Sequence, residues 1–260
     1  MKRKRFYYII KLQYLGFRYH GWQKQPDVIT VEKMLDKTLN YVLEGQKFKV
    51  MAAGRTDAKV SVNQTFIELF MYDEALDLEA FLPYFNENLP QDIRALSIEE
   101  TDAKFNIIQH SKQKEYHYYF CYGQKMHPFA APFLLNVREN LDLDIMQIAA
   151  KYFEGEHDFY SFTFRPTPTT NFDGHILSCE ILENDVIQAN FFPEKSYYLK
   201  VIGKGFKRQQ IRLMMGALLD LGQHKISLEE FIKYIDGKNR IKLTHVAPAS
   251  GLILHKVDLD

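Results

Sequence analysis

A short polar connection between two apolar runs carries the side chains best suited to chemistry. The segment AAGRTDAKV, residues 52–60, lies between the runs FKVM and QTFIELFMY. Arg55 and Asp57 occupy a place where a hairpin usually has Asn-Gly or Asp-Gly. A carboxylate held there can serve as general base, metal ligand or nucleophile, and a neighbouring arginine can keep it ionised. The alternative is a surface ion pair worth about 0–1 kcal/mol.

Two other polar clusters give weaker signals. His157 and Asp158 resemble half of a catalytic dyad, but no recognisable serine or cysteine nucleophile motif accompanies them, so we interpret them as a structural pair at a helix end. Residues 203–205 are too few for a phosphate-binding loop and predict a bent strand. Lys204 and Arg208 are nevertheless suited to contact phosphates.

The surrounding pattern predicts the strands and helices that must hold these side chains. Apolar and β-branched runs predict strands, and apolar residues at a 3.6-residue period predict helices. In the first half these segments are a strand at 6–14, a helix capped by Thr30, strands at 48–53 and 64–72, a helix capped by Asp77 and a strand at 93–100. In the second half they are a strand at 115–122, a helix at 144–155, strands at 175–183 and 196–206, a helix at 208–222, a helix capped by Ser227 and a strand at 251–259.

Each half therefore has the order βαββαβ, which is the split βαβ arrangement of ferredoxin-like domains. The predicted class is α+β, with two ferredoxin-like halves at residues 1–105 and 106–260. We expect the halves to join their antiparallel sheets into one continuous sheet with a central cleft. The N-terminal half would carry the Asp57 loop.

Net charge is zero over the 260 residues, but the charged residues are segregated along the chain. Residues 1–60 hold 13 Lys and Arg against 5 Asp and Glu, and residues 195–225 hold 7 against 1. Between them, residues 61–104 hold 2 against 10. Two basic segments can form a surface that suits a polyanion, although ordinary solvated faces produce the same pattern.

Composition is that of a globular protein with a real core, at 46% hydrophobic and 25% charged residues. No apolar run approaches the ~18 residues needed to cross a bilayer, and no small-residue cleavage site follows the basic N-terminus, so we expect no membrane partner. Cys121 and Cys179 lie far apart and form no CxxC pair. They suggest neither a disulfide framework nor a zinc site, and we expect a cytoplasmic location.

Several motifs in chain order resemble the TruA family of tRNA pseudouridine synthases. The first two are GRTDAKV after a strand and YLGFRYHGWQKQ at 14–25. The others are KEYHYYF at 114–120, LDLDIMQIAAKYFEGEHDFYSF at 141–162, GKGFKRQQIRLMMGALLDLG at 203–222 and APASGLILHKVD at 247–258. The resemblance runs nearly end to end, and the family's fold of twin ferredoxin-like halves around an RNA-binding cleft agrees with the predicted topology.

The resemblance implies a role for each matching residue. Asp57 would be the catalytic nucleophile, and Tyr116 would lie over the target uracil and help to remove the proton from C5. Arg212 would pair with Asp57 across the cleft. Arg55 would intercalate or hold the stack open while the target base flips out.

The resemblance also implies the reaction and the partners. Uridine would be isomerised to pseudouridine at positions 38–40 in the anticodon stem-loop of tRNA, by a homodimer that uses no cofactor and no metal. Apart from the resemblance, the residues themselves make His20 and Trp22 candidates for a loop that contacts RNA, and Lys204 and Arg208 candidates for phosphate contacts. The alternative for Trp22, the only tryptophan, is a packed anchor of its loop.

Two departures from the family pattern lie just after the nucleophile. Lys59 replaces a glycine and Ser61 replaces a histidine. If that glycine has a positive φ in relatives, a lysine there is strained or the loop differs. The departures keep open a catalytically silent or retargeted RNA-binding protein on the same fold. A metal-dependent nuclease would need a cluster of carboxylates, and the segment 52–60 supplies only Asp57.

Overall fold

The described chain, residues 4–260 of a computed structural model, forms two units that each combine a sheet with helices. Unit 1 comprises the chain up to Lys112 together with Leu254–Asp260, and unit 2 comprises Gln113–Ile253. The α+β class is therefore confirmed. The predicted domain boundaries, 1–105 and 106–260, stay a prediction, and residues 1–3 of the first lie outside the described residues.

Unit 1 has the βαββαβ order that the sequence predicts. Its elements are β1 (Arg5–Tyr14), α1 (Val31–Val42), β2 (Phe48–Ala52), β3 (Ser61–Tyr72), α2 (Leu78–Asn88) and β4 (Ile93–Thr101), followed by the single turn α3 (Ile107–His110). The strand order is β4-β1-β3-β2, and each neighbouring pair is antiparallel. This is the order of a split βαβ sheet, in which β3 lies between β1 and β2.

Local capping contacts start the helices of unit 1 where the sequence predicts. Thr30 is the N-cap of α1, and its hydroxyl accepts a hydrogen bond from the Lys33 N–H at 3.3 Å. Asp77 caps α2 in the same way, accepting from Glu79 and Ala80. Each cap satisfies N–H groups that have no partner inside the helix, so it fixes the first residue of the helix.

The last strand, β10 (Leu252–Leu259), is divided between the units, and from Leu254 onward it belongs to unit 1. The side-chain amides of Asn63 and Gln64 on β3 donate to the carbonyls of His255 and Val257. The N–H of Asp260 donates to the carbonyl of His110. These contacts explain why this segment groups with unit 1, although the sequence pattern assigns it to the second half.

Unit 2 is built around the strand β5 (Ser111–Tyr122), whose first two residues belong to unit 1. Its other elements are β6 (Leu135–Val137), α4 (Leu143–Lys151), β7 (Gly155–Asp158), β8 (Asp173–Glu183), β9 (Tyr197–Gly203), α5 (Gln210–Gly222) and α6 (Leu228–Ile235). The strands β5, β9, β8 and β7 are neighbours in that order and antiparallel, and β6 pairs with β5 in parallel. The predicted joining of the two sheets around a central cleft stays a prediction.

The core of unit 2 includes the predicted face of α5, because Ile211, Met214, Met215 and Leu218 are all buried. Leu213, Ala217 and Leu221 are buried as well, so the helix is enclosed on nearly every side and not on one face alone. Within residues 4–260, no helix has both the length and the apolar character needed to cross a bilayer.

One predicted helix is too long. The helix predicted at 144–155 ends at Lys151, and Gly155, with φ of 101°, begins β7. His157 and Asp158 therefore lie on a strand, which corrects their placement at a helix end. The His157 ring still has a structural contact, because its Nε2 lies 2.8 Å from the Glu154 carbonyl oxygen.

Candidate active site

Asp57 lies in the loop that connects β2 to β3, as the sequence predicts. The loop runs from Gly54 to Val60, and the Asp57 side chain is partly buried while Arg55 is exposed. The Asp57 carbonyl accepts a hydrogen bond from the Val60 N–H, which closes a tight turn directly after the carboxylate. We call residues 54–60 the Asp57 loop.

A second loop, residues 15–30, contacts the Asp57 loop through backbone hydrogen bonds. The Trp22 N–H donates to the Thr56 carbonyl at 3.1 Å, and the Lys59 N–H donates to the Tyr19 carbonyl at 2.9 Å. The Tyr14 hydroxyl at the end of β1 lies 2.9 Å from the Thr56 hydroxyl. These contacts fix the backbone on both sides of Asp57, which is the preorganisation that a reacting carboxylate requires.

Two glycines allow the loops to approach this closely. A Cβ at position 16 would lie 1.9 Å from the Val60 carbonyl oxygen. A Cβ at position 21 would lie 2.8 Å from the Thr56 carbonyl oxygen and 3.2 Å from the Asp57 carbonyl carbon. Gly21 also has φ of +90°, a conformation that other residues rarely adopt. Any side chain at either position would push directly on the backbone of the Asp57 loop.

Both departures from the family pattern have a visible structural setting. Lys59 has φ of 68°, so a lysine occupies the left-handed conformation that favours glycine. Its ammonium lies 5.8 Å from the centre of the Phe17 ring. Ser61 is buried, and its hydroxyl accepts a hydrogen bond from the Gly16 N–H at 2.9 Å. Ser61 therefore joins the two loops at the start of β3.

The Trp22 ring cannot stack on RNA, because it is only 3% exposed. It packs against Tyr14 with ring centres 6.2 Å apart. This corrects the expectation that Trp22 contacts substrate, and the packed-anchor alternative applies. His20 is exposed on the same loop.

An ion pair supports the Tyr19 end of the second loop. The Arg18 guanidinium binds both carboxylate oxygens of Asp92, and the Tyr19 hydroxyl donates to the same carboxylate at 2.7 Å. Burial on its own would raise the pKa of Asp92, but the hydrogen bonds from Arg18 and Tyr19 hold that pKa below its ordinary value. These contacts fix Tyr19, whose carbonyl accepts the hydrogen bond from the Lys59 N–H.

In unit 2, Tyr116 lies on β5 with its ring partly exposed. Phe206 packs edge-on against it, with ring centres 5.2 Å apart and the planes at 87°. Phe206 follows the Gly203–Gly205 bend, and a Cβ at Gly203 would lie 3.0 Å from the Phe206 ring. The sequence pattern did not mark Phe206 as a site residue, although Phe206 is the last residue of the GKGF motif at 203–206.

Arg212 lies in the first turn of α5 and is fixed by a main-chain contact. Its Nε donates to the Ala247 carbonyl at 2.7 Å. At the first residue of α5, the buried Gln210 side chain accepts from the Lys207 N–H at 2.7 Å and so shapes the turn that leads into the helix. The predicted pairing of Arg212 with Asp57 stays a prediction.

Lys204 and Arg208 are both exposed on unit 2. The guanidinium carbons of Arg208 and Arg165 lie 5.6 Å and 5.1 Å from the centre of the Phe164 ring. This arrangement offers cationic groups with an aromatic support, which suits phosphate and base contacts.

Several known proteins similar to this chain are named tRNA pseudouridine synthase A, in some cases with a number added. A family model described as tRNA pseudouridine synthase matches residues 149–260. A tRNA pseudouridine synthase A from Pelobacter propionicus is 33% identical, with 95% of this chain and 97% of that protein covered. Similar proteins from Phytoplasma mali and Protochlamydia amoebophila are 31% and 30% identical over at least 95% of each chain. With identity at this level over almost the whole length, the chain belongs to the TruA family of tRNA pseudouridine synthases.

Proposed function

We propose that this protein isomerises uridine to pseudouridine in tRNA, at positions 38–40 of the anticodon stem-loop. Membership of the family supports the reaction class. The observation that carries the proposal is the Asp57 loop, because hydrogen bonds on both sides of Asp57 hold its backbone in place at the end of β2. Rigid support of this kind is what a nucleophilic carboxylate needs.

The proposed reaction breaks one bond to the uracil and makes another. An oxygen of Asp57 forms a transient adduct with the sugar or the base, and the glycosidic N1–C1′ bond breaks. The uracil rotates, its C5 bonds to C1′, and the bond to the Asp57 oxygen breaks, which regenerates the carboxylate. The C5 proton is lost while N1 gains one. The target base must first leave its stack, at a cost of a few kcal/mol.

Tyr116, Arg212 and Arg55 act around this step in our proposal. Tyr116 covers the flipped uracil and helps to remove the C5 proton, and its packing against Phe206 favours one ring orientation. Arg212 pairs with the Asp57 carboxylate. Arg55, which is exposed on the Asp57 loop, holds the stack open.

The exposed residues His20, Lys204 and Arg208 contact the RNA in this proposal. His20 belongs to the loop that supports Asp57, and Arg208 shares the Phe164 ring with Arg165. Arginines and lysines supply the salt-dependent phosphate contacts that position an RNA, without reading its sequence.

The test is the Asp57→Asn variant, assayed with an anticodon stem-loop tRNA. We expect no pseudouridine in a carbodiimide primer-extension assay, while tRNA affinity stays within about threefold of the wild type. Asp36→Asn is the matched control, because Asp36 is a partly exposed aspartate of the same unit, paired with Lys24. Pseudouridine formation by Asp57→Asn, or none by the wild type on any tRNA, would contradict the proposal.

A silent or retargeted RNA-binding protein is the second candidate, and the strained Lys59 and the buried Ser61 favour it. Such a protein would bind tRNA with strong salt dependence. It would yield no pseudouridine in tRNA, or would modify uridines outside positions 38–40. Mapping pseudouridine in cells with and without the protein separates the two candidates.

We also propose a homodimer in the cytoplasm, in keeping with the resemblance to the family. Light scattering would then give about twice the chain mass of 30.6 kDa. The buried, unpaired Cys121 and Cys179 agree with a reducing compartment. Fractionation of cells with an antibody against the protein tests the location.

A further inference from the structure

A segment of unit 2, residues 245–251, runs beside Arg212, and we call it the strap. Arg212 makes two contacts with one strap residue. Its Nε donates to the Ala247 carbonyl at 2.7 Å, and its own carbonyl accepts from the Ala247 N–H at 3.1 Å. The strap backbone therefore contributes directly to the orientation of the guanidinium.

The next strap residue is held by a buried tyrosine of β5. The Tyr118 hydroxyl donates to the Pro248 carbonyl at 2.5 Å, and the Tyr118 side chain is fully buried. The strap also closes over the ring, because a Cβ at Gly251 would lie 3.0 Å from Tyr118 Cε1. The Tyr118 hydroxyl thus fixes the Pro248 carbonyl, which is adjacent to the Ala247 carbonyl that accepts from Arg212.

Helix α5 holds the start of the strap. A Cβ at Gly216 would lie 2.0 Å from the His245 carbonyl oxygen, so only a glycine allows this approach. The His245 ring Nδ1 lies 2.9 Å from an Asp220 carboxylate oxygen. The strap is therefore tied to α5 at His245 and to β5 at Pro248, with the Arg212 contact between the two ties.

Tyr118 remains a hydrogen-bond donor throughout the working pH range. Burial raises the pKa of Tyr118 far above its ordinary value, and the nearby positive charge of Arg212 opposes only part of that shift. Tyr118 lies two residues from Tyr116 on the same strand, so both side chains point to the same face of β5. One rigid strand thus carries Tyr116 and the group that fixes the strap.

We propose that Tyr118 is a positioning residue for Arg212, acting through the Pro248 and Ala247 carbonyls of the strap. The inference rests on the proposed function, because Arg212 has a task only if the protein is an isomerase. Without the Tyr118 hydroxyl the strap loses its side-chain hydrogen bond to β5 at Pro248, and the guanidinium is held less precisely. Displacements of about 1 Å at such a group can cost on the order of 100-fold in rate.

The first test compares Tyr118→Phe with Tyr119→Phe. Tyr119 is also fully buried, and its hydroxyl bonds to the His117 ring at 2.9 Å, so both variants remove one buried hydrogen bond from the same strand. We expect kcat to fall by about tenfold or more for Tyr118→Phe with KM within about twofold. Tyr119→Phe should retain kcat within about twofold. Equal kcat for wild type and Tyr118→Phe would overturn the inference.

The second test is a double-mutant cycle with Arg212→Lys in single-turnover conditions. If Tyr118 acts through Arg212, Tyr118→Phe lowers the rate in the wild type but causes no further loss beside Arg212→Lys. The same fold-loss in both backgrounds would mean that Tyr118 acts independently and would overturn the inference. A wild type that makes no pseudouridine overturns the proposed function itself, which is a separate outcome.

A third variant covers the case in which Tyr118→Phe fails to fold at the assay temperature. His245→Ala removes the exposed tie between the strap and Asp220 and leaves the core intact. We expect kcat to fall severalfold with KM unchanged, and no further loss in the Arg212→Lys background. An unchanged kcat would count against positioning by the strap.

Discussion

Lys59 is one of several non-glycine residues with positive φ, and it lies close to Asp57. The left-handed conformation costs a non-glycine residue about 1–2 kcal/mol, and Lys59 has φ of 68°. The contact of its ammonium with the Phe17 ring offsets part of this strain, by about 0.5–1 kcal/mol at an exposed site. The strain lies two residues from Asp57, so it belongs to the same turn as the proposed nucleophile.

At position 59 we expect the usual order of stability of alanine and glycine variants to be reversed. Glycine is normally less stable than alanine within regular structure, by about 0.5–1 kcal/mol. We expect Lys59→Gly to be more stable than Lys59→Ala by about 1 kcal/mol, because only glycine adopts this φ without strain. Urea unfolding of both variants measures the difference. An alanine variant as stable as the glycine variant would show that the turn relaxes to another conformation.

At the scale of elements, the important contacts join segments that are distant in the sequence. The loop at 15–30 supports the Asp57 loop, and Gly21 lies where the two backbones pass close to each other beside Thr56 and Asp57. The Asp57 loop has no regular secondary structure of its own. Its backbone is therefore held in place by hydrogen bonds with the neighbouring loop.

Gly21→Ala should therefore damage activity more than stability of the sheet. The new methyl group would press on the Thr56 carbonyl and displace Asp57, so we expect kcat to fall by about tenfold or more. Far-ultraviolet circular dichroism should stay unchanged. Gly45→Ala is the matched control, because Gly45 also has positive φ but nothing within 4 Å of the added Cβ. Equal activity of the two variants would contradict the role assigned to Gly21.

Strand β3 carries a buried carboxyl that makes stability depend on pH. Glu68 is 1% exposed, and one of its oxygens accepts from the Ile107 N–H at 3.0 Å, which ties α3 to β3. Burial raises the pKa of Glu68 above 4.5, and the Ile107 hydrogen bond opposes part of that shift. A carboxyl whose pKa rises on folding stabilises the fold below its unfolded pKa, and this contribution is lost as pH rises through the folded pKa.

We expect the melting temperature of the wild type to fall, relative to that of Glu68→Gln, as pH rises from about 4.5 toward neutrality. The glutamine carbonyl can still accept from Ile107 but cannot ionise. Glu99→Gln on β4 is the control, since Glu99 is exposed. Parallel melting curves for the wild type and Glu68→Gln across this range would contradict the assignment.

Local signals explain which elements could be predicted from the sequence. The caps at Thr30, Asp77 and Ser227 are confirmed, because each cap contacts an N–H only two or three residues away. Short elements such as α3 and β6 were missed, because one turn or three residues carry no period. The strap beside Arg212 also has no local signature, since its contacts join residues at least 25 positions apart.

The same reasoning applies to the candidate site. The motif around Asp57 correctly predicts a loop between two strands, because chain order and turn residues determine such a connection. Burial of Trp22 depends on packing against Tyr14, which the sequence alone left open. The catalytic roles of Asp57, Tyr116 and Arg212 stay predictions.

At the scale of the whole molecule, a net charge of zero conceals a basic segment around the proposed RNA contacts. Residues 195–225 hold 7 Lys and Arg against a single acid. A basic segment of this kind makes binding of a polyanion sensitive to salt even when the protein as a whole is neutral.

We expect Lys204→Ala and Arg208→Ala each to reduce the slope of log Kd against log salt for tRNA by about 1, because each removes one phosphate contact. Lys151→Ala is the control, since Lys151 already pairs with Glu154 at 3.0 Å. Fluorescence anisotropy over a salt series measures the slopes. Slopes equal to that of the wild type would remove both residues from the RNA-binding surface.

The assignment of Leu254–Asp260 to unit 1 has a consequence for biosynthesis. All of unit 2 leaves the ribosome before this segment does, so β3 lacks a neighbour while the nascent chain grows. Domains generally fold in the order in which they emerge. Here the half that carries Asp57 begins before unit 2 in the chain but gains Leu254–Asp260 only after unit 2 has been synthesised, so its sheet is completed after the elements of unit 2 exist.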